Sequence, residues 1–131
     1  MLKLPSPLDD DCEALVTRTI GCCIRVHREL GPGLLERTYA RAIAIELDME
    51  GIPFEVEKRF EIHYRGHWLS EHRVDVVVAD QVLLEIRALD RLAPVHMAQV
   101  MSYLRLSGLR VGLLLNFNVA VLPDGLRRVV L

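Results

Sequence analysis

The stretch from residue 73 to residue 87 constrains the fold more than any other part of the chain. Two apolar runs, 74–79 and 82–88, lie on either side of the polar pair Asp80-Gln81. Because β-branched and apolar residues crowd both sides of a polar break, the pattern predicts two antiparallel strands joined by a turn of two or three residues. The sequence therefore predicts a β-hairpin in the middle of the chain.

The register of this predicted hairpin brings two carboxylates together. Pairing across the turn places Asp75 opposite Glu85 or its neighbour Ile86, with Val77 near Leu83. An ionised group buried without a partner is strongly unfavourable, so charges in such apolar strands must pair with each other, bind a cation or open to a cleft.

Side-chain alternation predicts a charged face and an apolar face. Arg73 shares one face with Asp75, and Glu85 shares one face with Arg87, because alternate residues of a strand point the same way. The opposite face is predicted to hold Val74, Val76, Val78, Leu84 and Ile86. The charges form either an ion-pair network that fixes the register or a site where carboxylates hold Mg²⁺ and a basic side chain lies beside a phosphate.

The order Asp75, then Glu85-Ile86-Arg87, resembles the Asp…(Asp/Glu)-x-Lys core of the PD-(D/E)XK nuclease superfamily. Arg87 departs from that pattern, which has Lys at this position. A guanidinium stays charged at any working pH, so it can bind a phosphate but cannot act as a base. The chain contains 14 Arg and only 2 Lys, so a general replacement of Lys by Arg is one explanation of the exchange.

Two further motifs carry a second resemblance. The string Gly33-Leu34-Leu35-Glu36-Arg37-Thr38-Tyr39 begins a helix predicted from about residue 34 to residue 49, and Asn116-Phe117-Asn118 ends an apolar run. Together with residues 27–33 they resemble the bacterial GxxExxY family, usually placed as a branch of the same superfamily. That resemblance makes Glu36 the candidate third metal ligand; the alternative is a favourable charge position at a helix N-terminus.

The third predicted helix, residues 95–106 after Pro94, carries a polar stripe. His96, Gln99 and Tyr103 follow the spacing i, i+3 and i+7. The segment from Gln99 to Tyr103 resembles the Gln-x-x-x-Tyr motif that follows the Glu-x-Lys element in RecB-type exonucleases. The resemblance implies that these two residues position the substrate or water, with His96 and Arg73 as substrate contacts. The alternative is a helix edge bonded to neighbouring backbone.

The remaining histidines and the cysteines form no metal-ligand spacing. A solvent-side position on a hairpin is predicted for His63, His67 and His72. His27 lies on the apolar stripe of the first predicted helix, which runs to about residue 30, and this favours a core position. Three cysteines, two of them adjacent at Cys22-Cys23, are typical of reduced core residues in a cytoplasmic protein.

Length and composition limit the class of protein. The 131 residues predict one domain, with residues 1–8 as an irregular arm. No apolar run approaches the roughly 20 residues of a membrane span, and no signal peptide is apparent. The net charge of −2 and the pI of about 6.2 argue against a broad basic surface that coats nucleic acid, but they allow a local basic cleft.

The order helix, helix, strands, hairpin, helix, strand, strand predicts an α/β fold with a restriction-endonuclease-like three-layer core, a mixed central sheet flanked by helices. The first functional hypothesis is a nuclease that uses Mg²⁺ or Mn²⁺ to hydrolyse DNA or RNA, weakened by Arg87. Its metal ligands would be Asp75, Glu85 and Glu36. Its catalytic residues would be Asp75, Glu85, Gln99 and Tyr103 together with Arg87, which would stabilise charge on the phosphate.

The second hypothesis is an inactive protein of the same fold, in which Arg87 pairs with both carboxylates in place of a metal. Such a protein would bind nucleic acid or assemble into homo-oligomers. The apolar segment 129–131, predicted at a sheet edge, could support that assembly because unprotected edges pair readily.

Overall fold

The computed structural model describes residues 6–131. The helices are α1 (Asp10–Leu30), α2 (Glu36–Met49), α3 (Pro94–Ser107) and α4 (Leu122–Gly125). The strands are β1 (Phe54–Tyr64), β2 (His67–Val78), β3 (Val82–Arg87), β4 (Val111–Asn116) and β5 (Leu126–Val130). Of the predicted arm 1–8, residues 1–5 lie outside the described residues, and residues 6–9 precede α1 without helical or strand structure.

The five strands form one mixed sheet in the order β1-β2-β3-β4-β5. The pairs β1–β2, β2–β3 and β4–β5 are antiparallel. β3 and β4 are parallel, and α3 supplies the crossover that such a pair requires. The predicted α/β fold, a mixed central sheet with flanking helices as in restriction-endonuclease-like proteins, is confirmed.

α1 begins and ends where its sequence provides the caps. The Asp9 carboxylate accepts a hydrogen bond from the Cys12 N–H at 2.7 Å, and acidic residues fill the first turn, where they stabilise the helix dipole. Gly31 ends the helix with φ 69°, a conformation that glycine adopts without steric cost. Its N–H donates to the His27 carbonyl oxygen at 2.8 Å.

Tyr39 fixes the joint between α1 and α2. Its hydroxyl donates to the Gly31 carbonyl oxygen at 2.6 Å and accepts from the Leu34 N–H at 3.1 Å. Its buried ring stacks on Phe117, with centroids 4.3 Å apart. These contacts hold residue 34 outside the helix, so α2 begins at Glu36, two residues later than predicted.

The sheet separates two apolar cores of unequal size. The larger lies against α1 and α2 and the smaller against α3. α3 approaches the sheet closely at Gly112, where a Cβ atom would lie 2.7 Å from a methyl of Val100. Only glycine allows this approach, so residue 112 sets the height of α3 above the sheet.

The central hairpin forms, but β2 is longer than predicted and continues back to His67. The register Val77↔Leu83 is as predicted. The turn contains Ala79 and Asp80 in the left-handed region, with φ 48° and 57°. Within β2, only the last three residues pair with β3. The rest of β2 therefore forms a two-stranded ribbon with β1.

Smaller differences occur elsewhere in the chain. The segment Pro123-Asp124-Gly125, predicted as a turn, lies in the short helix α4.

His27 is buried as predicted, and its Nε2 donates to the carbonyl oxygens of Phe117 at 3.2 Å and Val119 at 2.9 Å. None of the helices in residues 6–131 combines the length and apolar character that a membrane crossing demands.

Candidate active site

Strand β2 separates from β3 at Asp75. The Asp75 carboxylate accepts the Ile86 N–H at 2.7 Å, and this side-chain bond replaces the next pair of the strand ladder. In β1 the facing residue, Glu57, has φ 51° and is left out of the register between Val56↔Val76 and Lys58↔Val74. The two strands are therefore irregular at the same level.

This irregularity corrects one prediction from the sequence. Val74 was expected on the apolar face with Val76, but it packs in the α3 core with Val77. Two faces can follow strict alternation only in a regular strand. The break at Asp75 shifts the phase, so the side chains before it change sides relative to those after it.

Glu85 lies in the centre of the molecule. Strand β3 is buried along almost its whole length, and Glu85 is only 1% exposed. Its Oε2 accepts from Arg87 Nη1 at 3.0 Å, and its Oε1 accepts from His72 Nε2 at 3.4 Å. The charge is thus buried with partners, as the cost of burying an isolated carboxylate requires.

Three oxygen atoms converge on one nitrogen of Arg87. Nη1 donates to Glu85 Oε2 at 3.0 Å and to the Ile86 carbonyl oxygen at 3.0 Å. It also lies 3.9 Å from Asp75 Oδ2. We call Asp75, Glu85 and Arg87, with this carbonyl, the acidic site. Hard oxygen donors around a single point form the type of ligand set that Mg²⁺ takes.

Burial dominates the electrostatics of the acidic site. It raises the pKa of Glu85 to about 7, and the charge of Asp75 adds to the effect while Arg87 opposes it. The pKa of Asp75 is also raised by burial, against the lowering effects of the Ile86 N–H and Arg87. Burial and the Arg87 charge lower the pKa of His72. The Glu85 carboxyl therefore changes its protonation near neutral pH.

Helix α3 places two of its three predicted residues against the acidic site. Gln99 Oε1 accepts from Arg87 Nη2 at 3.5 Å, and the Tyr103 ring stacks on His72 with centroids 3.6 Å apart. His96 behaves differently, because its Nδ1 accepts the Ala93 N–H at 2.8 Å and so caps the start of the helix. The spacing predicted a common stripe, but His96 is engaged by its own helix.

Glu36 and Arg73 lie further from the centre. Glu36 is exposed in the first turn of α2, where its charge contributes to the raised pKa of Asp75. Glu36 and Asp75 line one cavity. Arg73 is exposed, and its side chain forms no hydrogen bond or ion pair with the residues that the structure describes. The structure thus brings five predicted residues together, namely Asp75, Glu85, Arg87, Gln99 and Tyr103.

His72 is a second residue, after Val74, whose predicted position was wrong. It was predicted on the solvent side with His63 and His67, which are indeed exposed. Instead it is half-buried between Tyr103 and Glu85. Its position two residues before Val74, on the α3 side of the irregular strand, explains the difference. No sequence signal marks it without knowledge of the break at Asp75.

The Asn116-Phe117-Asn118 motif supports the site from behind. The Asn116 side chain accepts from the Leu89 N–H at 2.9 Å and donates to the Leu89 carbonyl oxygen at 3.0 Å. Asn118 Nδ2 reaches the same carbonyl oxygen at 3.4 Å. The Phe117 N–H donates to the Arg87 carbonyl oxygen at 2.9 Å. The motif thereby fixes the end of β3 and the connector to α3.

A metal ion would meet suitable donors here, but not a preformed cage. Asp75, Glu85 and the Ile86 carbonyl supply hard oxygens. Within residues 6–131, no three His, Cys, Asp or Glu side chains are arranged to hold a metal ion. The donor chemistry fits a divalent cation, and Arg87 Nη1 occupies the point where the donors meet. A cation could bind there only after the guanidinium turns away.

Comparison of the sequence with known protein families identifies the family of this chain. No curated protein matches the chain significantly. The solved crystal structure of SSO0001 matches with a TM-score of 0.44 and 17% identity, over 92% of this chain and 76% of that chain. A sequence model of the PD-(D/E)XK nuclease superfamily matches residues 13–129, which include every residue of the acidic site. The chain belongs to the PD-(D/E)XK nuclease superfamily.

Proposed function

We propose that the protein is a nuclease that hydrolyses phosphodiester bonds of nucleic acid with a divalent metal, Mg²⁺ or Mn²⁺. Nucleases of the superfamily generally use such metals. The observation that carries the proposal is the convergence of oxygens from Asp75, Glu85 and Ile86 on one point. When bound, the metal would lower the pKa of a water molecule and stabilise charge on the phosphate.

The side chains of this protein would divide the remaining work. Asp75 and Glu85 would hold the metal, and Glu36, which lines the same cavity as Asp75, would approach it through water. Arg87 would leave the carboxylates and bind the phosphate in a bidentate manner. Gln99, which already contacts the guanidinium, would hold it in that second position.

The residues around the acidic site would contact the substrate. Tyr103 would orient the substrate through its hydroxyl, since its ring is already fixed on His72. Arg73 is free to bind a backbone phosphate. His96 would contact substrate only by giving up its cap on α3. We also place the protein in the GxxExxY branch, supported by the structural use of Tyr39 and Asn116 described above.

The test is cleavage of nucleic acid by purified protein with Mg²⁺ or Mn²⁺. We expect Asp75→Asn and Glu85→Gln each to lower the rate by at least about 100-fold. Glu71→Gln is the matched control, because Glu71 is an exposed carboxylate of the ribbon and its loss should leave the rate unchanged. Equal rates in the wild type and in Asp75→Asn would contradict the proposal.

A second candidate function is favoured by one observation, the position of Arg87 Nη1 at the meeting point of the oxygens. In this reading the guanidinium replaces the metal permanently, and the protein binds nucleic acid or assembles into homo-oligomers. Strand β5 ends the sheet with Leu131 exposed beyond it, which leaves an edge for pairing.

Thermal unfolding with and without Mn²⁺ separates the two candidates. The nuclease reading expects Mn²⁺ to raise the melting temperature of the wild type, and Arg87→Lys to retain or increase the cleavage rate. The permanent ion-pair reading expects indifference to Mn²⁺. It also expects Arg87→Ala to lose roughly 3 kcal/mol of stability, because the buried carboxylate of Glu85 and the half-buried one of Asp75 lose their cation.

A further inference from the structure

A cavity of about 610 Å³ opens between α2 and the inner part of β1 and β2. We call it the α2 cavity; it is lined by Glu36, Arg37, Ala40, Arg41, Ala44, Ile45, Phe54, Val56, Glu57 and Asp75. Its volume lies within the range of small-ligand sites. Asp75 belongs both to this cavity and to the acidic site, so the two are continuous.

Half of the ten residues that line the α2 cavity are apolar, and one of these, Phe54, is aromatic. Ile45 and Val56 remain 63% and 52% exposed although they are large aliphatic residues. Phe54 is partly buried, packs against the larger core and also lines the cavity. Exposed apolar side chains that gather in one concave surface mark a binding site more often than scattered ones do. A flat aromatic molecule would cover them.

Two arginines that line the cavity, Arg37 and Arg41, have side chains without a partner among residues 6–131. Their guanidinium groups form no hydrogen bond or ion pair with any of these residues, whereas those of Arg18, Arg25 and Arg128 are all paired with carboxylates. The pair lies one helical turn apart, which is about 6 Å along the axis of α2. This separation is comparable to that of successive phosphates along one nucleic-acid strand.

We infer that the α2 cavity receives one unpaired nucleobase next to the phosphate that is cleaved, and that the substrate is single-stranded nucleic acid. The base would stack on Phe54 and cover Ile45 and Val56, while Arg37 and Arg41 bind phosphates. An amino group of the base can donate to Glu57. A base inside a duplex is stacked and paired and cannot enter such a cavity without leaving the helix.

This inference rests on the proposed nuclease function, since the nucleobase takes its place from a phosphate at Asp75. Binding and cleavage can nevertheless be measured separately. We would measure fluorescence anisotropy of labelled single strands of about 12 nucleotides, of DNA and of RNA, and of a duplex of the same sequence. EDTA keeps all strands intact, and cleavage is followed in parallel with Mn²⁺.

The decisive variant is Ile45→Glu, with Met49→Glu as its matched control. Both residues lie on α2, four positions apart and largely exposed, but only Ile45 lines the cavity. The same charge is therefore added inside and outside the proposed site. We expect Ile45→Glu to weaken single-strand binding at least about tenfold and Met49→Glu less than about twofold.

A second pair tests the phosphate contacts. Arg41→Ala should weaken single-strand binding by about the same factor as Ile45→Glu, while Arg105→Ala, on α3 at the other side of the sheet, should not. Circular dichroism confirms that each variant folds. Preference for DNA or for RNA is compatible with the inference, because the cavity would bind the base.

The outcomes separate the two proposals. Single-strand binding that depends on Ile45, without cleavage, would overturn the nuclease function and leave the α2 cavity as a nucleic-acid site. Cleavage with a duplex bound as tightly as the single strand would overturn the cavity inference alone. Equal binding by Ile45→Glu and Met49→Glu would also overturn it.

Discussion

Glu85 concentrates the energetic problem of this protein in one residue. A carboxylate with 1% exposure has lost nearly all of its hydration, and Arg87 and His72 replace only part of it. Its pKa near 7 expresses the balance that remains. Close to neutral pH the folded protein contains both the protonated and the ionised form, so this residue links stability to pH.

Replacement of Glu85 by Gln should remove that link. A carboxyl with a pKa of about 7 when folded and near 4.5 when unfolded binds more protons in the folded state between these values. The unfolding free energy therefore falls as the pH rises through that interval, by about 2 to 3 kcal/mol from pH 5 to pH 8. Between the same two pH values, the unfolding free energy of Glu85→Gln should fall by about 2 to 3 kcal/mol less than that of the wild type.

Urea unfolding at about pH 5 and about pH 8 measures this difference. The lowered pKa of His72 acts in the opposite direction, since a histidine that resists protonation when folded loses stability as the pH falls. The causes of that effect, burial and the Arg87 charge, are present in both proteins. Identical pH profiles would mean that Glu85 titrates normally in the folded protein.

Removal of the Tyr39 hydroxyl tests how much its two hydrogen bonds stabilise the joint between α1 and α2. Tyr39→Phe keeps the ring on Phe117 but leaves the Leu34 N–H and the Gly31 carbonyl without their shared partner. We expect a loss of about 1 to 2 kcal/mol in chemical denaturation. Tyr64→Phe, at a tyrosine that is 59% exposed, is the control and should change stability by less than about 0.5 kcal/mol.

Among the elements, β2 shows what a sequence can and cannot predict. Apolar content and turn residues were sufficient to predict the hairpin, its register at Val77 and the proximity of Asp75 to Glu85. Strict alternation then failed, because Asp75 bonds the Ile86 N–H with its side chain and shifts the phase of the strand. Val74 and His72 were therefore assigned to the wrong side.

The helices were easier to predict than the cavity between α2 and the sheet. Asp9, Gly31, Pro94 and Gly108 are local capping residues, and the structure uses all four at helix ends. The α2 cavity depends instead on how closely α2 packs on the sheet, and no local pattern encodes that distance. The same holds for Arg87. The sequence marked it as a candidate site residue, but it did not predict that three oxygen atoms surround its Nη1.

The packing of α3 on the sheet can be tested at Gly112. A methyl group there would lie 2.7 Å from Val100, so Gly112→Ala must move the helix outward or distort the strand. We expect a loss of about 1 to 3 kcal/mol of stability. It should also weaken the contact of Gln99 with Arg87, whose present length is 3.5 Å.

Gly21→Ala is the opposite control. Gly21 lies inside α1, where a methyl group would meet only Arg25 Nη1 at 3.6 Å. Alanine favours the helix, so this variant should gain about 0.5 to 1 kcal/mol. Denaturant midpoints of the two variants should therefore shift in opposite directions. A shift of Gly112→Ala toward higher stability would show that the space between α3 and the sheet can accept a methyl group without strain.

At the scale of the whole molecule, the sheet divides the protein into layers of unequal strength. α1 buries seven side chains, from Cys12 to His27, whereas α3 buries only Val100 and Leu104. Helices with fewer buried contacts open at lower free energy than the global unfolding. We expect the central amides of α3 to exchange with deuterium at least about tenfold faster than those of α1.

Hydrogen exchange followed by mass spectrometry or NMR measures that difference directly. Equal protection of the two helices would show that the molecule opens only as one cooperative unit. A protected α3 with an exposed α1 would reverse the assignment of the layers. The exchange rates of amides in the outer ribbon of β1 and β2 provide an internal reference for solvent-exposed hydrogen bonds.

The thinness of the α3 layer has a mechanical consequence for the acidic site. Its carboxylates belong to strands anchored from below by the thick layer, while Gln99 and Tyr103 are carried by the helix with the fewest anchors. One half of the site is therefore stiff and the other compliant. A small tilt of α3 would widen the space above Glu85 while the sheet and the larger core stay intact.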